Sequence, residues 1–216
     1  MKIISVNVGF PREVIWNGRR VTTGIFKDPI EGHVMVRKLN LDGDRQADLS
    51  VHGGVDKAVY AYPAEHYDYW RHELPGMKLP WGMFGENLTT VGLLEEAVNI
   101  GDRFRIGSSV LMVTQPRMPC YKLAVKFERN DIVKRFLRSG RPGLYFSVQE
   151  EGEVSSGDEI ELISRDENNV TISDITRLYV TEKDNLDLLR RAVENEALPE
   201  SWRVYFQRQI EKLVRR

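Results

Sequence analysis

From residue 2 to about residue 163, apolar and polar positions alternate in short runs broken by turn-forming residues, a period near two that predicts β-strands. The candidate strands are Lys2 to Val8, His33 to Leu39, Ala58 to Tyr62, Leu88 to Thr90, Arg103 to Ile106, Ser109 to Gln115, Gly143 to Gln149 and Glu159 to Ser164. Gly-Asp pairs punctuate them, as in Gly43-Asp44, Gly101-Asp102 and Gly157-Asp158. Such pairs supply the backbone freedom and local hydrogen bonding that turns require.

Two helices interrupt this region. Pro63 suits a first helical turn, and Ala64 to Leu74 then runs to Pro75 as a stop. Tyr67 and Trp70, three apart, share one face of it and suit core packing. Lys122 to Leu137 reads as a second helix through the spacing of Leu123, Phe127, Val133, Phe136 and Leu137. After Asn169 the apolar period lengthens to about three and a half residues, and three helices are expected. They begin near Ser173, Thr181 and Pro199; the last carries Trp202, Phe206, Ile210 and Leu213 as its apolar stripe. The pattern predicts a mainly β domain with inserted helices over residues 1–167, an antiparallel barrel or sandwich, followed by a small helical appendage over 168–216.

Composition narrows the partners. The 216 residues include 41% hydrophobic ones, enough for a real core, and 31 Lys+Arg stand against 32 Asp+Glu for a formal net charge of -1. No global field draws such a chain to a nucleic-acid polymer or an anionic membrane, so any anion site must be local. The longest apolar runs, such as Val110 to Val113, fall far short of a membrane span. One cysteine cannot form an intramolecular disulfide, and Met1 to Asn7 is too poor in apolar residues for a signal peptide. The expectation is a soluble protein of a reducing compartment, the cytoplasm.

That cysteine is the first candidate for chemistry. Cys120 follows Pro119 and lies between Arg117 and Lys122, cations that would stabilise a thiolate able to attack electrophiles or bind a soft metal. A lone intracellular cysteine also suits the role of a small buried hydrophobe. In Asp44 to Tyr60, Arg45, His52 and Lys57 surround the Gly53-Gly54 pair, which fits either an oxyanion cradle or a simple hairpin turn. Glu86 and Asn87 follow glycines in Trp81 to Leu88. Asn87 is placed to donate to a ligand carbonyl and Glu86 to hold a cation or an amidine edge, or the pair serves a capped turn. Lys27 faces either an anion or solvent. The histidines at 33, 52, 66 and 72 are too dispersed for a structural zinc site, and neither a nucleotide-binding glycine fingerprint nor a serine nucleophile elbow is present.

Read together, Thr-Gly-Ile-Phe-Lys at 23 to 27, Gly-Asp-Arg-Gln-Ala-Asp-Leu at 43 to 49, His-Gly-Gly-Val-Asp-Lys-Ala-Val-Tyr at 52 to 60, Tyr-Pro-Ala-Glu-His-Tyr at 62 to 67, Phe-Gly-Glu-Asn-Leu-Thr at 84 to 89 and Gln-Pro-Arg-Met-Pro-Cys-Tyr-Lys-Leu at 115 to 123 resemble the MOSC family. That family is named for the C-terminal domain of molybdenum-cofactor sulfurases. Leu-Pro-Glu-Ser-Trp-Arg at 198 to 203 resembles the three-helix module of its YiiM-like branch.

The resemblance implies an antiparallel β-barrel that binds molybdenum cofactor, a pterin dithiolene with a terminal phosphate, with Cys120 as metal ligand or sulfur carrier. It implies reduction of N-hydroxylated compounds such as 6-hydroxylaminopurine, hence detoxification of base analogues. On that reading Lys27, Arg45, Lys57, Arg117 and Lys122 neutralise charge, Gly53 and Gly54 offer amides, and Gln46, His52, Glu86 and Asn87 orient the pterin. His52 would also supply a catalytic proton beside Cys120. No flavin, haem or iron–sulfur motif is evident and no pyridoxal phosphate is required, so electrons should come from a partner reductase. The alternative is a non-catalytic carrier of cofactor or sulfur using Cys120. The apolar stripes of the C-terminal helices also suit a homodimer contact.

Overall fold

In the computed structural model, residues 1–47 and 53–215 are described. Strands β1 (Lys2–Val8), β2 (Arg12–Trp16), β3 (Arg19–Thr23), β4 (Asp28–Ile30) and β5 (Val34–Val36) precede a 3₁₀ turn at Val55–Lys57. Then come β6 (Val59–Pro63), α1 (Glu65–Glu73), β7 (Leu88–Val91), β8 (Arg103–Ile106), β9 (Ser109–Pro116), α2 (Tyr121–Phe127), α3 (Ile132–Ser139), β10 (Leu144–Glu150), β11 (Gly152–Val154) and β12 (Ile160–Ser164). Helices α4 (Ile172–Val180), α5 (Leu186–Glu194) and α6 (Glu200–Val214) complete the chain.

Eight strands form one sheet in the order β12-β8-β9-β10-β6-β7-β1-β4. All its pairs are antiparallel except β6–β7, which corrects the expectation of a purely antiparallel sheet. The reason is the connection: residues 64–87 cross over with α1, and a crossover of that length returns the chain in the same direction. The Ile3 N–H donates to Asp158 O and the Ile160 N–H to Met1 O, both at 2.9 Å, so the sheet curls until the lead-in to β12 meets the start of β1. Strand β4 nevertheless stays outside the curl, and among the described residues no continuous ladder closes a barrel. The protein is a mixed α/β fold around one large sheet, with small two-stranded sheets β5–β11 and β2–β3 beside it.

Local chemistry explains the other departures. Asn17 and Gly18, at φ 49 and 74, form the two-residue turn that joins β2 to β3, an Asn-Gly hairpin absent from the expected strands. The single helix expected over Lys122 to Leu137 is two, because Glu128 takes the left-handed conformation (φ 51) that ends α2. Its N–H bonds back to carbonyls of that helix, and Asn130 and Asp131 carry the chain to α3. In the C-terminal module, Thr171 and Asp174 form a reciprocal capping box at the start of α4, ahead of the expected Ser173.

Two apolar clusters result. The larger joins sheet residues such as Val6, Phe104, Leu111 and Phe146 to Ile175, Leu189, Trp202 and Phe206 of the C-terminal helices. The smaller is aromatic, packing Tyr62, Tyr67, Trp70, Phe84, Phe127 and Phe136 around α1, α2 and α3. The helices are thus part of the main core, pinned by polar groups at the junction. Fully buried Asp102 accepts the N–H groups of Asn99 and Asp166, each at 2.9 Å, and Asn195 donates to Ile100 O and the Asp166 carboxylate, each at 3.2 Å. Replacing Asp102 by alanine strands one buried and one part-buried backbone donor, so urea unfolding should show a loss of about 1–3 kcal/mol. An unchanged midpoint would show that these bonds do not hold the junction.

Candidate functional site

Where β3, β6, the lead-in to β7, the end of β9 and β10 converge, they leave a cleft of about 630 Å³, open to solvent. The loop between β9 and α2 forms one wall with Arg117, Met118, Cys120 and Lys122; Lys57 and Tyr60 come from the 3₁₀ turn and β6. Thr23 to Lys27, Gln46 and Asn87 face them, and Tyr145 of β10 sits behind. Gly24 lets the two facing segments meet, because a Cβ there would stand 2.4 Å from Arg45 O.

Cys120 is half-buried and lines the cleft, so the reading of it as a sealed core residue fails. Its neighbour Arg117 is only 6% exposed. The Arg117 guanidinium carbon lies 5.4 Å from the Tyr60 ring centre and 5.1 Å from that of Phe136, and its Nη1 has no hydrogen-bond partner. Burial opposes its charge, yet Tyr60, Tyr145 and Cys120 outweigh burial and hold its pKa above the ordinary guanidinium value. Burial likewise raises the Tyr145 hydroxyl, against the pull of Arg117. Among the described residues, Arg117 forms no ion pair.

Lys27, equally buried, is ion-paired with Asp44. Burial lowers its pKa and Asp44 raises it, with burial dominant. Asp44 also accepts the Gly9 N–H at 3.0 Å and an Asn87 amide hydrogen at 2.8 Å. Asn87 gives its other hydrogen to Asn7 O at 3.4 Å and accepts the Tyr60 N–H at 3.1 Å. One amide hydrogen is taken by Asp44 and the other by β1, while the amide oxygen ties in β6, so Asn87 lines the cleft without a hydrogen to spare for the ligand carbonyl expected of it.

Other candidates lie elsewhere. Glu86 is fully buried behind the wall, where its carboxylate accepts from Tyr67 Oη, Gly82 N (2.8 Å), Phe84 N (3.0 Å) and Thr89 Oγ1 (3.0 Å). Burial pushes its carboxyl above the ordinary range, against these donors. It holds the 82–86 bend and does not reach the cleft, contrary to its expected ligand role. Arg45 is exposed, its guanidinium carbon 6.0 Å from the Phe10 ring, and does not line the cleft. Gly53 and Gly54 do not line it either; Gly54, at φ 98, launches the 3₁₀ turn that presents Lys57. Gln46 is in the wall and donates to Leu39 O at 3.4 Å. His52 lies outside the described residues.

The structure adds Tyr60, Tyr145 and Met118 to the wall. Tyr60 stood at the end of a family-like phrase, whereas nothing near Tyr145 signals function; only its pairing opposite Gln115 brings it inward. Among the described residues no three His, Cys, Asp or Glu side chains cluster as a metal site. Among them, too, no helix is long and apolar enough to cross a membrane.

A half-buried thiol in a cation-lined cleft, set in a curled mixed sheet with a docked helical module, defines a mixed α/β protein of one large sheet. The chain belongs to the MOSC-domain family, whose model matches residues 48–161, and residues 170–213 match the YiiM-like, 3-alpha helix domain. It is 43% identical to the YflK protein of Bacillus subtilis (strain 168) over 98% of this chain and 96% of that one. A protein of Gibberella moniliformis (strain M3125 / FGSC 7600) named "Reductase" is 34% identical over 82% of this chain and 32% of its own length. The crystal structure of YiiM from Geobacillus stearothermophilus superposes with a TM-score of 0.81 at 36% identity, covering 97% of this chain and 98% of that one.

Glu86 gives a clean test of its bracing role. Glu86→Gln turns one amide group toward a buried N–H and should cost about 1–3 kcal/mol in denaturant unfolding, while Glu86→Ala strands four donors and should cost more. Equal, negligible losses would remove Glu86 from the support of the cleft wall.

Proposed function

We propose that the cleft holds molybdenum cofactor and that the loaded protein reduces N-hydroxylated compounds such as 6-hydroxylaminopurine, with electrons from a partner reductase. The observation that carries this reading is the cleft's pairing of one accessible thiol with a buried guanidinium whose Nη1 has no partner. The donor set suits the cofactor: Cys120 is the one thiol, beside the weaker Met118 thioether, so a metal here must bring its other thiolate ligands with it, as a dithiolene does. Arg117, Lys57 and Lys122 face the same space and complement an anionic dithiolene and phosphate. Lys27 is neutralised by Asp44 and leaves that task to them.

When bound, the molybdenum centre supplies two-electron oxygen-atom transfer. The overall change takes R–NH–OH, two electrons and two protons to R–NH₂ and water. In the protein's share, Cys120 would ligate, Arg117 and the two lysines would orient and hold charge, and Tyr60 and Tyr145 line the same cleft. His52 keeps its proposed role as proton donor. The substrate class rests on the resemblance to the YiiM-like branch and not on any motif residue; the redox reading is supported by the name of the fungal relative.

Metal and pterin analysis of freshly isolated protein tests this. Wild type should carry molybdenum, Cys120→Ala should lose most of it, and Arg117→Gln should bind cofactor about tenfold or more weakly, the value of a lost charged hydrogen bond. With reductant and partner, wild type should reduce 6-hydroxylaminopurine. Equal molybdenum in wild type and Cys120→Ala would overturn the ligand assignment. A metal-free protein carrying an extra sulfur on Cys120 would point to a sulfur carrier.

A further inference from the structure

Trp202, on α6, is 8% exposed, and its indole nitrogen is a donor with no acceptor function, so burial obliges it to find a partner. The partner is not in the helical module. Trp202 Nε1 donates at 2.8 Å to Oε1 of Gln115 in β9, itself 4% exposed. Gln115 Nε2 donates in turn at 3.2 Å to the carbonyl of Asp56, which also accepts from Thr114 Oγ1 at 2.7 Å. Asp56 is the residue before Lys57, Gln115 lies two residues before Arg117, and Gln115 is the register partner of Tyr145. One indole N–H therefore anchors a buried relay to three parts of the cleft wall. Met118, on the cysteine loop, packs against the same core cluster as Trp202.

We infer that the three-helix module serves as the brace of the cleft, and that Trp202, through Gln115 and Asp56, is the positioning residue that sets Lys57 and Arg117 against Cys120. Without the indole donor, Gln115 Oε1 is left unpaired in a buried site and the amide must turn to satisfy it. The Asp56 carbonyl then loses one of its two side-chain donors, and the turn carrying Lys57 is free to shift. The inference concerns the cleft's geometry and charge, whichever group occupies it.

The single cysteine makes this measurable. Alkylation of Cys120 by iodoacetate, an anion, and by neutral iodoacetamide yields a rate ratio that reports the cations beside the sulfur and cancels changes common to both reagents. It is measured on protein whose thiol alkylates completely by intact mass. Trp202→Phe, which keeps the ring and removes the donor, should lower the ratio about threefold, as expected when one cation withdraws by about 2 Å from a partly buried charge. Gln115→Met breaks the same bond from the other side and should reproduce the drop if Trp202→Phe folds poorly. Leu189→Ala, in the module's core but outside the relay, should lower the melting temperature and leave the ratio at the wild-type value. An unchanged ratio in both relay variants, or an equal drop in Leu189→Ala, overturns the inference. Because the ratio reads the empty cleft's field, either result leaves the cofactor proposal to be judged by metal content.

Discussion

Among the described residues, the guanidinium of Arg117 is held inside the protein without a carboxylate, and much of the cleft follows from that constraint. An uncompensated buried charge costs several kcal/mol. Ring faces at 5.4 and 5.1 Å offset part of this, by up to about 2 kcal/mol where water is excluded. The remainder is an N–H group with no acceptor, in a wall that opens on a cleft. A core selected only for stability would replace such a group with hydrocarbon of similar volume. An arginine kept in this state matches an anion arriving from outside, where the fork of donors and the fixed positive charge gain most.

Lys27 shows the opposite solution to the same problem in the same cleft. It too is buried, but Asp44 neutralises it, and Asp44 is in turn tied to the Gly9 backbone and to Asn87. Asn87 spends its whole amide on Asp44, β1 and β6. Lys27, Asp44 and Asn87 therefore form a closed set whose hydrogen bonds are satisfied internally, while Arg117 belongs to an open one. Polar networks that are fully satisfied rigidify their surroundings. The first set fixes the wall against which the second can act.

Much of this was readable along the chain. Alternation located the strands of the large sheet except the short edge strand β4, the lengthened period located the C-terminal helices, and the cations flanking Cys120 marked the loop that does line the cleft. Three kinds of feature escaped. The Asn17-Gly18 hairpin carried a local signal that lay outside the recognised runs. The break at Glu128 comes from one left-handed residue inside an otherwise continuous helical stripe, which periodicity does not resolve. The direction of a motif side chain was not encoded locally at all: Arg45 faces solvent and Lys57 the cleft, twelve positions apart in one polar stretch. Glu86 looked like a ligand because it follows glycines. The Gly82 amide is instead among the donors that its carboxylate gathers.

The same reasoning separates a site for a metal ion from a site for a metal already in its cofactor. A protein that captures a bare soft cation brings several thiolates or imidazoles to one point. Here the described residues bring one thiol, with the Met118 thioether in the same wall, among cations that would repel a free metal ion as they attract an anion. The field and the ligand count are reconciled if the metal enters inside a ligand whose net charge is negative. A lysine-to-glutamate exchange at the rim would improve a site for a bare ion and damage one for an anionic metal complex, so the sign of the cleft's field carries as much information about its occupant as the thiol does.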